Sequence, residues 1–287
     1  MQVIICGQFA NPYLFSLDMI QKILTLALVF LIGSGCNQKK SELEDLLPFL
    51  LLIQPDRAEN YDRDVEIVTH TEMSGSITCN TTYAQEDVDH YSILLRAQIA
   101  KYPRGYWIKA KVERVILCSN LSVGGMAIGG TMDPFANRIY LNVNSGIADG
   151  TLDNYLVRSI HHEMTHNFDF ALRGLLMDVH SDWVALNSVG YATNVDWASP
   201  ALLQFNNPVP GFVTMYATSN VAEDYAEVSS GLMGPQSNYE SLMQICQTDP
   251  VVGAKVRLMI SDMKRFWPFP KTEGTYWKNQ LEMTFCP

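Results

Sequence analysis

Apolar residues recur at helical spacing in several stretches of the chain. Between residues 86 and 102 they stand three or four positions apart, and Pro103-Arg104-Gly105 follows as a helix-ending segment. The same period runs over residues 151–168, which predicts a second helix. Further helices are predicted at residues 238–246 and 251–266.

Short runs rich in β-branched and aromatic residues lie before and between these helices. They predict strands at residues 65–68, 106–117, 126–128 and 138–143. The segment Asp133-Pro134-Phe135-Ala136-Asn137 predicts the turn that leads into the last of them. Because the predicted strands precede most of the helices, the pattern indicates an α+β fold.

The start of the chain has a different pattern. Residues 23–32 form an apolar run of ten residues with a single threonine, too short to span a bilayer as a helix but typical of a signal-peptide core. The following Gly33-Ser34-Gly35-Cys36 resembles the lipobox of bacterial lipoproteins, although Gly33 departs from its usual aliphatic residue. We expect lipidation at Cys36; an ordinary signal peptide, or a buried helix with a chance cysteine, is the alternative.

Three segments follow from this interpretation. Residues 1–35 are predicted to be a signal peptide whose true start is Met19, because residues 1–18 contain no Lys or Arg. Residues 36–60 are predicted to be a lipidated tether. Residues 61–287 are predicted to form the folded domain.

Composition excludes one class of partner and suggests one compartment. The chain has 287 residues, 47% apolar content and a formal charge of −10, so it lacks the basic surface that nucleic-acid binding needs. Four cysteines remain after the predicted signal and Cys36. Their even number in an exported chain predicts two disulfides, and we favour Cys79–Cys118 and Cys246–Cys286 over the other pairings or four free thiols.

One short motif carries metal chemistry. His162 and His166 are four residues apart on a predicted helix, which places both imidazoles on one side of it. Two imidazoles so placed can bind one zinc ion, with Glu163 beside the open coordination position as a base for water. The pattern also occurs by chance, so it requires a third ligand and a matching context.

Two glutamates downstream are candidates for that ligand. A metzincin would have Gly at position 169 and His at 172, but Asp169 and Leu172 stand there. Glu223 and Glu227 are four residues apart, so both can face the same site. One can bind the metal while the other accepts the far ring N–H of a ligand histidine. Alternatively, both belong to a solvated helix face.

The motif His162-Glu163-Met164-Thr165-His166, together with Glu223-Asp224-Tyr225-Ala226-Glu227, resembles the zinc-binding metallopeptidase family of bacterial lipoproteins. That family is similar to the catalytic domain of anthrax lethal factor. The resemblance covers about residues 135–235 and includes Asp182-Trp183 and Ala185-Leu186-Asn187. It implies a zincin-like α+β domain with a small mixed sheet and an active-site helix carrying the first motif.

The resemblance also implies roles for individual residues. One Zn²⁺ per chain is bound by His162, His166 and Glu223, and Glu227 hydrogen-bonds a ligand histidine from outside the ligand set. Glu163 is the catalytic base. Tyr216, seven residues before Glu223, donates a hydrogen bond to the oxyanion, unless it is a core tyrosine.

The remaining candidates have plainer interpretations. His161 points about 100° away from the ligand face of the helix. His180 has no ligand spacing, and Asp169 is expected to bond a ligand histidine or cap a helix. In this fold family the substrate lies antiparallel to an edge strand, and residues 139–142 are our candidate for that strand by analogy.

The sequence therefore predicts a membrane-anchored gluzincin-type zinc peptidase. We expect a monomer that acts on peptide or protein substrates, carried as an exported bacterial lipoprotein on the outer membrane or cell surface. Two alternatives remain: a zinc-containing surface lipoprotein that binds a host or envelope partner without catalysis, and a structural zinc.

Overall fold

A computed structural model describes residues 55–143, 152–174 and 180–287. The predicted signal peptide, the start at Met19, Cys36 and most of the tether lie outside these residues. Residues Arg57–Pro287 form one compact unit. None of the helices described in these ranges is long and apolar enough to cross a membrane.

A small mixed sheet forms one part of this unit. Three strands are parallel in the order β1, β3, β6, and β5 pairs antiparallel with β6 at the end of the row. Strands β2 and β4 pair antiparallel with the second half of β3. The strands are β1 Glu66–Val68, β2 Ile77–Asn80, β3 Arg114–Val123, β4 Met126–Ala127, β5 Gly130–Asp133 and β6 Arg138–Asn142.

Eight α-helices in the described ranges make up most of the rest. Their bounds are α1 Gln85–Ile99, α2 Tyr106–Lys109, α3 Leu152–Arg173, α4 Ser181–Val184, α5 Val221–Met233, α6 Gln236–Thr248, α7 Pro250–Phe266 and α8 Tyr276–Met283. Short 3₁₀ helices span Ala58–Tyr61 and Tyr216–Thr218. The architecture is thus mixed α+β with a small mixed sheet, as predicted.

Helix α3 is the central element. It packs against β5 and β6 on one side and against α5 on another, so almost every residue from Leu156 to Asp169 is buried. Its apolar side chains Ile160, Met164 and Phe168 join the main core. The disulfides Cys79–Cys118 and Cys246–Cys286 are both formed, which confirms the predicted pairing.

One predicted strand is wrong in its first half. Residues 106–109 form the short helix α2, and β3 begins only at Arg114. Three consecutive residues of α2 are buried, which a strand with alternating faces does not allow. Gly105 immediately precedes α2, and its φ of 87° lies in the region that favours glycine. A Cβ at this position would lie 2.7 Å from the carbonyl oxygen of Tyr61.

The candidate substrate-binding edge strand is also wrong. Residues 139–142 lie in β6, which is flanked by β3 and β5 and is therefore an interior strand. The strand β5, which has no alternating pattern and contains Gly130, takes the edge position. The predicted turn at residues 133–137 connects β5 to β6 instead of β4 to β6.

Candidate metal centre

Helix α3 brings two imidazole rings to one point. His162 and His166 follow each other by one helical turn, and their Nε2 atoms lie 3.1 Å apart. The two rings are nearly perpendicular, at 84°. Two nitrogen lone pairs can therefore meet at a single ion.

Helix α5 adds a carboxylate to the same point. Glu223 Oε2 lies 2.8 Å from His162 Nε2 and 3.5 Å from His166 Nε2. Asn220 caps this helix, since its side-chain oxygen accepts hydrogen bonds from the backbone N–H groups of Ala222 and Glu223. The cap fixes the turn of helix from which Glu223 projects.

The three ligand atoms fit a tetrahedral zinc ion. Zinc bonds of about 2.0–2.2 Å place two ligands of a tetrahedron about 3.3–3.6 Å apart. The observed separations of 2.8, 3.1 and 3.5 Å lie close to that value. His162, His166 and Glu223 are the potential metal-binding group in the described part of the chain. Three protein ligands leave a fourth position open, as in catalytic zinc sites.

The electrostatics of this point favour a cation. Burial alone would lower the pKa of His162, but hydrogen bonds to Glu223 and Glu227 raise it to about 10. Burial would raise the pKa of Glu223, yet His166 and His162 hold it well below its usual value. The carboxylates thus stabilise positive charge between them.

A second carboxylate lies behind His162. Glu227 Oε1 is 2.9 Å from His162 Nδ1, and Oε2 accepts a 2.9 Å hydrogen bond from the Thr214 hydroxyl. Arg158 Nη2 also donates to Oε1. Burial would raise the pKa of Glu227, but Arg158 and His162 lower it, so it accepts the Nδ1–H and leaves Nε2 free for a metal.

Glu163 lies next to the ligands on α3, buried under strand β5. A Cβ at Gly130 would come within 2.8 Å of Glu163 Oε1, so only glycine fits there. Burial raises the pKa of Glu163, while His162 and His166 oppose that shift. A raised pKa makes this carboxylate a stronger proton acceptor, as a general base requires.

Tyr216 lies on the 3₁₀ helix before α5, with its ring centroid 5.6 Å from that of His162. Burial raises its pKa, and the charges of Glu223 and Glu163 raise it further. The hydroxyl therefore stays protonated and can donate a hydrogen bond. Trp197, which is largely exposed, packs edge-on against the same ring at 5.8 Å.

The three candidate ligands, Glu163 and Tyr216 line one cavity of about 290 Å³, whose walls include β5 and residues Val123 and Ile128. A larger cavity of about 430 Å³ lies beside α2 and the end of α1. The metal-binding group lies in the smaller one. The chemistry therefore points to the smaller cavity.

The other histidines have partners away from the ligand point. His161 contacts the Tyr102 hydroxyl at 2.9 Å and the Gln98 side chain at 3.1 Å, and burial lowers its pKa. His180 Nε2 bonds Asp169 at 2.8 Å. Asp169 therefore holds His180, and not a ligand histidine, although it lines the metal cavity.

Four residues of the site are not predicted by the sequence. The sequence could have indicated Arg158, because it precedes His162 by four residues on the same helix face. It could also have indicated Asn220, as a preferred N-cap residue before a helix. It could not have indicated Thr214 and Gly130, because their roles depend on chain segments that meet only in the fold.

The chain matches one described protein family. Residues 132–266 match the model of the family described as "Putative zinc-binding metallo-peptidase". This confirms the predicted resemblance to that family. The matched region contains both motifs and slightly less than half of the chain. Zinc is the ion that the family implies, in agreement with the ligand set.

One solved structure is similar to this chain. It is the crystal structure of a "putative zinc-binding metallo-peptidase from Bacteroides caccae ATCC 43185", with 17% sequence identity and a TM-score of 0.48. The alignment covers 86% of this chain and 93% of that chain. Among curated proteins, none matches this chain.

Proposed function

We propose that this protein is a zinc peptidase of the gluzincin type, which hydrolyses peptide bonds in a zincin-like domain. One observation carries the proposal: His162, His166 and Glu223 converge from two helices on one point, with the Glu163 carboxylate beside it. The family match to zinc-binding metallopeptidases supports it.

The reaction uses the residues around this point. A zinc ion held by His162, His166 and Glu223 would supply Lewis-acid chemistry for the scissile carbonyl and would lower the pKa of water. Glu163 takes the proton of the attacking water and passes it to the leaving amine. The Tyr216 hydroxyl donates a hydrogen bond to the oxyanion. Glu227 holds the ring of His162 by accepting its Nδ1–H.

We propose that the peptide substrate binds along strand β5. This strand ends the row of strands, and Gly130, Thr131 and Met132 line the cavity with the ligands. An extended peptide added antiparallel to β5 would bring a carbonyl over Glu163. This assignment replaces residues 139–142, which lie in the interior strand β6.

We further propose that the enzyme acts as a monomer outside the cytoplasm. The compartment is supported by the apolar segment before Cys36 and by the two disulfides, which form in oxidising compartments. A lipid at Cys36 would hold the catalytic domain at the outer membrane or cell surface.

The test compares wild type with Glu163→Gln, which keeps the size of the side chain but cannot accept the proton. Zinc content is measured by mass spectrometry and cleavage with a degenerate peptide library. We expect one zinc in both proteins and a loss of cleavage of at least about 100-fold in the variant, since general acid–base catalysis contributes that much.

The matched control is Glu86→Gln, at an exposed position in the first turn of α1. It should cleave the library as wild type does. If the wild type binds zinc but cleaves no peptide, the proposed peptidase activity is contradicted. The alternatives are then a lipoprotein that binds a partner without catalysis and a structural zinc. Equal cleavage by Glu163→Gln would contradict the role of Glu163 as base.

A further inference from the structure

A buried arginine lies one helical turn before the first metal ligand. Arg158 is on α3, four residues ahead of His162, and only 6% of its surface is exposed. A guanidinium removed from water must have a charged partner to be tolerated. Its partner is Glu227, which is fully buried.

Arg158 and His162 share one oxygen of that carboxylate. Glu227 Oε1 accepts from Arg158 Nη2 and from His162 Nδ1 at 2.9 Å. The other oxygen accepts from the Thr214 hydroxyl. Both oxygens of Glu227 are thus occupied, and its rotation would break a charged hydrogen bond on either side.

The same guanidinium also lies near the ring of Tyr216. Its central carbon lies 5.8 Å from the ring centroid of Tyr216, within the range of a cation–π contact. Its Nε is buried and makes no hydrogen bond in the described part of the chain. The guanidinium therefore contacts both the carboxylate behind His162 and the ring of Tyr216.

We propose that Arg158 is a positioning residue for zinc binding: it fixes the Glu227 carboxylate so that His162 presents its Nε2 to the ion. The proposal rests on the zinc site of the proposed function but does not require that the protein cleaves peptides. Arg158 thus acts on the proposed ligand His162 through Glu227, which contacts both residues.

Two effects of Arg158 on zinc affinity must be separated. The guanidinium also repels a dication directly, and this repulsion opposes the gain from positioning. A double-mutant cycle separates them, because direct repulsion acts whether or not residue 227 is charged and cancels in the difference. The effect that passes through Glu227 remains.

The experiment measures the zinc dissociation constant of four proteins by competition with a chromophoric chelator. They are wild type, Arg158→Met, Glu227→Gln and the double variant. Partners behind a ligand histidine typically change metal affinity about 10- to 100-fold. We therefore expect Arg158→Met to weaken binding at least about tenfold more in the wild-type background than in the Glu227→Gln background.

Arg173→Met is the matched control. Arg173 is also an arginine of α3, with 11% of its side chain exposed, and it pairs with Asp169 and Asp262; neither partner is a proposed ligand or is paired with Glu227. The cobalt(II) absorption spectrum gives a second readout. It should change in Arg158→Met and stay like wild type in Arg173→Met, although both variants lose a buried ion pair.

The outcomes decide between the two proposals. Equal effects of Arg158→Met in both backgrounds, or a wild-type cobalt spectrum, would overturn the role of Arg158 while the zinc site stands. Absence of zinc binding by the wild type would overturn the zinc site and this role together. If Arg158→Met does not fold, Arg158→Gln takes its place in the cycle.

Discussion

At the scale of single residues, Gly130 shows how closely a strand approaches the Glu163 carboxylate, the proposed catalytic base. A Cβ at this position would lie 2.5 Å from Cγ of Glu163, a distance that real Cβ atoms do not adopt. The side chain of Glu163 would have to move out of its position between β5 and the ligands. The absence of a side chain at residue 130 is therefore part of the site.

We predict that Gly130→Ala lowers peptide cleavage by about 100-fold, because a displacement of about 1 Å in a catalytic group can cost that much. Zinc content should stay unchanged, since the side chain that a Cβ at residue 130 would meet belongs to Glu163, which is not a proposed ligand. Gly190→Ala is the control, because a Cβ there meets nothing within 4 Å. Wild-type cleavage by Gly130→Ala would show that β5 yields to the new methyl group.

Site residues that lie on one helix could be predicted from the sequence more fully than those that come from distant segments of the chain. His162, His166 and Glu163 were placed together by helical spacing, which depends only on local geometry. Gly130 and Thr214 contact the site from chain segments far from α3, so no local spacing could have indicated them. The roles of Glu223 and Tyr216 rested on resemblance, and the structure brings both to the cavity.

At the scale of elements, the segment between α4 and α5 is positioned by helix α7. Residues 185–220 contain little regular structure, yet they carry Thr214 and Tyr216. Gly211 is held from both sides: its N–H donates to Asp249 at 2.6 Å, and its carbonyl accepts from Lys255 at 2.6 Å. Periodic patterns predicted α1, α3, α6 and α7 but could not predict this segment, whose shape depends on those two contacts.

Asp249 makes this connection dependent on pH. Burial would raise its pKa, but hydrogen bonds from Gly211, Asn207 and the start of α7 lower it below its usual value near 3.8. A lowered pKa in the folded state stabilises the fold above the unfolded value, and this contribution is lost as the pH falls through the folded value.

We therefore expect Asp249→Asn to be less stable than wild type by a constant amount above about pH 5, where this carboxyl is ionised in the folded and the unfolded chain. The difference should shrink below that pH, where Asp249 becomes protonated. Denaturant unfolding between pH 2.5 and 7 measures it, with the exposed Glu86→Gln as the control. A difference that does not change with pH would show that the carboxylate charge is not what holds Gly211.

At the scale of the whole molecule, the C-terminal residues complete the core behind the site. The family match ends at residue 266, but Trp267, Trp277 and Leu281 are buried beyond it. The ring of Trp277 contacts that of Tyr106, at a centroid distance of 5.8 Å, and its backbone N–H donates to Lys101. No sequence motif marks this region, because its role is packing and not chemistry.

The disulfide Cys246–Cys286 ties this C-terminal region to the end of α6. It closes a loop of 40 residues, and restricting such a loop in the unfolded chain stabilises a protein by about 3–4 kcal/mol. Its position is separate from the ligands, which lie on α3 and the first turn of α5. Loss of the disulfide should therefore act on stability and not on the metal centre.

We predict that replacing Cys246 and Cys286 together by serine lowers the free energy of unfolding by about 3–4 kcal/mol, measured by denaturant titration. Zinc affinity of the folded protein should stay at the wild-type value, because the contacts of His162 and Glu223 do not involve α6 or α8. A fall in zinc affinity in the folded double variant would contradict this separation and would mean that the C-terminal region holds α5, and with it Glu223, in place.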